Sequence, residues 1–170
     1  MSSFLPTIIL RHRKENLKKC SLKGLESAPD MVFYTYPSLL PNSLEGYLML
    51  YLADPPAPPL SPCDARYGLF FLDSTWNYER AMHSKIKENH TLIYRSLPST
   101  FMTAYPRKQT ACIAPDQGLA TVEALYIAYK ILGRDASHIL QHYYWKEDFL
   151  KKNVKTFALL EKSLQTVQQQ

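Results

Sequence analysis

Residues 67–76 read YGLFFLDSTW. An apolar and aromatic run this short, too brief for a typical helix, reads as a strand buried on both faces. The segment that follows, 77–89, puts Tyr78, Ala81, Met82 and Ile86 on one side of a helix and Arg80, Ser84 and Lys87 on the other. A buried strand feeding a helix is the unit from which α/β folds are built. It leaves Asp73 just beyond the carboxyl end of the strand, where open α/β sheets bind their ligands. Taken alone, residues 73–76 also allow a plainer role: Thr75 capping the helix, Asp73 complementing its positive end, and Trp76 in the core.

Working outward, residues 7–10 (TIIL) form a first strand candidate that ends in the basic residues 11–14 (RHRK). Residues 31–36 (MVFYTY) form a second, stopped by Pro37 and Pro41. Residues 46–53 are apolar throughout, so periodicity leaves strand and buried helix equally open. In residues 54–59 (DPPAPP), missing amide donors and fixed φ angles predict a stiff loop. Residues 92–95 and 110–114 are further strand candidates. Thr121 is expected to cap a helix with Val122, Leu125, Tyr126, Tyr129 and Leu132 on one face and Gly133 at its end. A last helix over 146–165 buries Leu150, Val154, Phe157, Leu160 and Leu164. The alternation predicts an α/β fold with a mostly parallel sheet flanked by helices. One domain is expected over 1–170: N-terminal strands and Pro-rich loop to 62, a core over 63–145, and a C-terminal helix from 146.

Composition narrows the function. The chain is 46% hydrophobic, enough to build a core, and carries a formal charge of +5, which favours a polyanionic partner. Cys20, Cys63 and Cys112 are widely spaced, so no metal site and a reduced cytoplasmic setting are expected. The first apolar stretch precedes its basic cluster, the reverse of a secretory signal, and no run approaches the roughly 20 apolar residues of a membrane span. Five glycines are scattered, and none builds a phosphate-binding loop.

Four short blocks in order carry a family resemblance. Residues 72–76 (LDSTW) resemble the signature of the DTW-domain family, named for its Asp, Thr and Trp. Residues 95–98 (RSLP) with 103–107 (TAYPR) resemble its middle block, and 118–124 (GLATVEA) its Glu-Ala helix start. Residues 18–22 (KKCSL) and 60–62 (LSP) are more similar to the ribosomal-RNA branch of the superfamily. Ser74 stands where the tRNA-modifying branch often has Gly, and Thr75 where the ribosomal branch has Ser, so the chain sits between the two.

The resemblance implies a SPOUT-like fold with a C-terminal trefoil knot around S-adenosylmethionine (SAM). It further implies transfer of the 3-amino-3-carboxypropyl group of SAM to N3 of a uridine in structured RNA, with tRNA favoured over rRNA and methylthioadenosine released. By match to the motifs, Asp73 becomes the base or orienter for the uridine. Ser21, Thr75, Trp76, Leu97, Leu119, Ala120, Thr121 and Glu123 become the SAM-binding set, with Glu123 orienting the loops. Arg11, Arg13, Lys14, Arg95, Arg107 and Lys108 are candidate RNA phosphate contacts, and residues 142–145 (HYYW) offer rings for packing or base stacking. Two alternatives stay open: a SPOUT methyltransferase, and a non-catalytic RNA-binding or ribosome-assembly factor.

Overall fold

The computed structural model describes residues 4–53, 55–106 and 118–169. Five strands, β1 (Thr7–His12), β2 (Met31–Tyr36), β3 (Tyr47–Leu50), β4 (Gly68–Asp73) and β5 (Ile93–Arg95), form one sheet in the order β2-β1-β4-β3-β5. All four pairings are parallel. Helices α1 (Trp76–Asn89), α2 (Thr121–Ile131), α3 (Lys146–Lys152) and α4 (Val154–Gln168) complete the described elements, with a short 3-10 turn at Pro62–Arg66. The parallel α/β arrangement agrees with the alternation in the sequence. The candidate strand at 110–114 lies outside the described residues.

Each face of the sheet has its own apolar layer. Ile9, Leu48, Leu69 and Phe71 point toward α2, Phe149 of α3 and Phe157 of α4. Ile8, Leu10, Met49 and Phe70 point the other way, toward Met82 and Ile86 of α1. Burial of successive residues on opposite faces explains why β1 and β4 read as continuous apolar runs. Gly68 opens β4 because a Cβ there would come within 2.4 Å of the Tyr47 ring. The apolar segment at 46–53 resolves as strand β3, whose short length fits a central strand flanked by turns.

Two details correct the expected elements, and one agrees. The cap position of α2 is Ala120, with Thr121 the first helical residue; the Glu123 carboxylate accepts the Ala120 N–H at 2.8 Å in place of a hydroxyl cap. Gly133 follows α2 with φ +68°, the left-handed geometry that ends helices at glycine. The last helix is two, broken at Asn153. That side chain is fully buried; its amide nitrogen donates to the Met102 and Phe149 carbonyls and its oxygen accepts the Met102 N–H, each at 2.8 Å. A tertiary clamp thus interrupts a helical pattern that the sequence carries straight through. Residues 55–59 lie outside the helices and named strands, as expected, and are strapped to the chain after β5: Ser96 N–H donates to the Pro58 carbonyl and Leu60 N–H to the Ser96 carbonyl.

Candidate active site

The chain leaves β1 toward β2 on one side and leaves β4 through α1 toward β5 on the other, which opens a crevice at the carboxyl ends of β1 and β4. Arg11 and Asp73 are register partners there, so parallel pairing alone brings their side chains to one face. Arg11 Nε donates to Asp73 Oδ2 at 2.8 Å, and Asp73 is only 4% exposed. Arg11 also reaches Glu26 at 3.1 Å, and its guanidinium covers the Phe33 ring. Cys20 Sγ lies 3.2 Å from the same Asp73 Oδ2. Burial and then the negative charge of Asp73 push the Cys20 thiol up to about 12, so it stays protonated and donates.

Around this cluster opens a cavity of about 550 Å³, within the roughly 300–1,000 Å³ of small-molecule sites. Ser21, Asp73, Thr75, Trp76, Leu97, Leu119, Ala120 and Thr121 all line it, drawn from four separated segments. Thr75 occupies the cap position of α1 but makes no cap hydrogen bond with its side chain. Ser21 Oγ accepts the Val122 N–H at 3.4 Å, tying the loop after β1 to the start of α2. The Ser74 hydroxyl is buried at the cavity without a hydrogen-bond partner among the described residues.

Glu123 lines no part of the cavity; it builds the wall behind it. Fully buried, its two oxygens accept four hydrogen bonds: Oε2 from Thr103 Oγ1 and Ala120 N, Oε1 from Ala104 N and Tyr143 Oη, at 2.7–2.9 Å. Three loops are thereby held to one carboxylate.

The basic candidates divide sharply. Arg11 and Arg95 are not open phosphate contacts: Arg11 is bound as above, and Arg95 holds the Asp64 carboxylate at 3.0–3.1 Å. Arg13 and Lys14 are exposed just past β1, with the Lys14 amine 5.7 Å from the Tyr78 ring. Arg107 and Lys108 lie outside the described residues. In the segment 142–145, Tyr143 is buried against Glu123, whereas Tyr144 is 86% exposed and packs edge-on to Trp145.

The cavity also contains residues outside the expected site set: Glu15, Tyr51 and Glu79, with Lys19 and Tyr105, which the sequence marked only as members of motif blocks. Glu15 and Tyr51 shortly follow β1 and β3, so the carboxyl-end rule applied to every strand would have found them. A carboxylate oxygen of Glu15, Cys20 Sγ and a carboxylate oxygen of Asp73 gather within 4.8 Å. With Arg11 already holding the positive charge there, this is an ion-pair cluster rather than a cation cage. A larger cavity of about 1000 Å³, lined by Phe4, Asp30, Tyr129, Arg134 and His138, opens at the other end of the sheet and takes in none of the expected site residues.

No family model and no curated protein matches this chain. Among solved structures, it is similar to the SAM-dependent rRNA:acp-transferase Tsr3 from Vulcanisaeta distributa, at 22% sequence identity and a TM-score of 0.64, over 96% of this chain and 85% of that one. The likeness shows that the two chains share a fold.

Proposed function

We propose that this protein is a SAM-dependent RNA-uridine aminocarboxypropyltransferase, with SAM bound in the carboxyl-end cavity. The observation that carries this is the convergence there of Ser21, Thr75, Trp76, Leu97, Leu119, Ala120 and Thr121, positions far apart in the chain. The likeness in fold to an enzyme described as a SAM-dependent rRNA:acp-transferase supports the same assignment. A SPOUT-like architecture with a C-terminal trefoil knot is part of the proposal, supported by the Glu123 clasp on residues 103–104 and 120.

The residues fit the donor. An unpartnered Ser74 hydroxyl in a cavity wall is a polar group awaiting a ligand, since burying it unsatisfied costs about 1–3 kcal/mol. Glu15, Asp73 and Glu79 give the cavity an acidic lining, and Trp76 offers a ring face, both favourable to a sulfonium. Lys19 and Ser21 also line the cavity, a charge and a hydroxyl suited to a carboxylate. Bound SAM supplies an electrophilic carbon beside its sulfonium. The backbone around Leu97, Leu119 and Ala120 would hold adenine and ribose, and the walls would exclude water from the reacting carbon. Asp73, locked by Arg11 and Cys20, acts as a positioning residue that fixes the loop after β1 against the loop after β4. Arg13 and Lys14, exposed at the same end of the sheet, would meet RNA phosphates.

The sequence alone favoured tRNA; the likeness to an rRNA enzyme makes ribosomal RNA the first substrate to examine. Calorimetry with SAM should give saturable one-to-one binding, and mass spectrometry of tRNA and rRNA nucleosides from a deletion strain should reveal a lost aminocarboxypropyluridine. No SAM binding would favour a non-catalytic RNA-binding factor, and a lost methyl mark would favour a methyltransferase.

A further inference from the structure

The buried Asp73 is poorly disposed to remove a proton, and a second carboxylate stands beside it. We propose that Glu15 is the general base that takes the N3 proton of the target uridine, a role that rests on the transfer reaction proposed above. Asp73 Oδ2 is occupied by the Arg11 guanidinium at 2.8 Å and the Cys20 thiol at 3.2 Å. Protonating that carboxylate would strip the buried guanidinium of a partner. Glu15 is only partly buried, lines the cavity, and its carboxylate receives no hydrogen bond among the described residues. A backbone hydrogen bond from Glu15 N to the His12 carbonyl, 2.9 Å, fixes the turn that presents it.

The electrostatics agree with the geometry. Glu15 is faced by Arg11 from β1, Cys20 from the loop beyond it and Asp73 from β4, while Lys19 and Glu79 complete the charged lining. Partial burial, and then the charge of Asp73, raise the Glu15 carboxyl above its ordinary range, with Arg11 opposing. A carboxylate raised toward neutrality is a better acceptor for a weakly acidic imide proton. In the step itself, N3 bonds to the carbon γ of the methionine-derived chain. The bond from that carbon to sulfur breaks, leaving its electron pair on sulfur as methylthioadenosine. The N3 proton rests on the Glu15 carboxyl until solvent removes it.

The test compares wild type with Glu15→Gln and Glu15→Asp, using SAM and RNA from a strain lacking the protein. Glu15→Gln should lower kcat by about 100-fold or more, a loss far larger than any weakening of SAM binding from the charge it removes, with the melting temperature close to wild type. Glu15→Asp should recover part of the rate. The rate of the wild type should rise with pH through the Glu15 titration, because only the ionised form accepts a proton, and that limb should vanish in Glu15→Gln. A carbon-13 NMR titration of Glu15 in the free protein, independent of turnover, should show it above the normal glutamate range and lowered in Asp73→Asn. Near wild-type turnover by Glu15→Gln, or an ordinary titration insensitive to Asp73, overturns Glu15 as base while leaving the transfer reaction standing. Absence of transfer by the wild type removes both.

Discussion

At the amino end of the sheet, Tyr129 Oη donates to Asp30 at 2.9 Å and lies 2.8 Å from the Thr7 hydroxyl, and Asp30 pairs with His138 at 3.1 Å. At the carboxyl end, Arg11, Cys20 and Asp73 form a comparable buried knot of polar groups. Both networks join distant segments, and both sit beside a cavity. They differ in what they leave over. The amino-end groups close on one another, and even Arg134, whose Nε has no hydrogen-bond partner among the described residues, stacks over Phe4 and Tyr129 and donates to the Tyr67 carbonyl. The carboxyl end leaves Ser74 Oγ unsatisfied in a cavity wall and the Glu15 carboxylate without a hydrogen bond among the described residues. Each end thus holds a buried polar atom without a partner, but Arg134 donates through another nitrogen, whereas the whole Ser74 hydroxyl stands unpaired beside an open carboxylate, and we assign the ligand to that end.

Glu123→Ala puts the heaviest load on this contrast. It strands four donors from three loops, so a loss of about 4 kcal/mol is expected in chemical denaturation, together with loss of SAM binding. Asp73→Ala leaves the buried Arg11 guanidinium with the half-exposed Glu26 as its remaining ionic partner among the described residues; about 3 kcal/mol of stability should go, and transfer with it. Tyr129→Phe breaks the amino-end network at its centre and should cost about 1–2 kcal/mol while leaving SAM affinity unchanged. Weakened SAM binding in that variant would erase the distinction between the two ends. Ser74→Ala sharpens it from the other side: stability should hold or rise slightly, because no bond is lost, while calorimetry should show SAM affinity lower by about 5–10-fold.

These residues also mark how far the sequence could be read. The strands with unbroken apolar character, and β2 with its bounding prolines, were legible because burial and turn chemistry are local properties. So was Asp73 at a strand end. Its partners were not: Arg11 is 62 residues away and looks like one more cation in a basic run, until parallel register brings it opposite Asp73. Glu15 was hidden in the same way, a single acid among lysines and arginines. The break at Asn153 depends on Met102, 51 residues distant, and no helical periodicity records such a clamp. The motif blocks supplied most of the residues that the fold brings together along one cavity, whereas Arg11 and Arg95 were chosen as RNA contacts by charge and position, which carry no information on burial or pairing.

The direct measurement is transfer from doubly labelled SAM, with one isotope in the carboxypropyl chain and another in the methyl group, to RNA from a strain lacking the protein. Carboxypropyl label should enter RNA with methylthioadenosine released in equal amount, and methyl label should not. Methyl label in the RNA, or neither label, would contradict the assignment of this cavity to aminocarboxypropyl transfer.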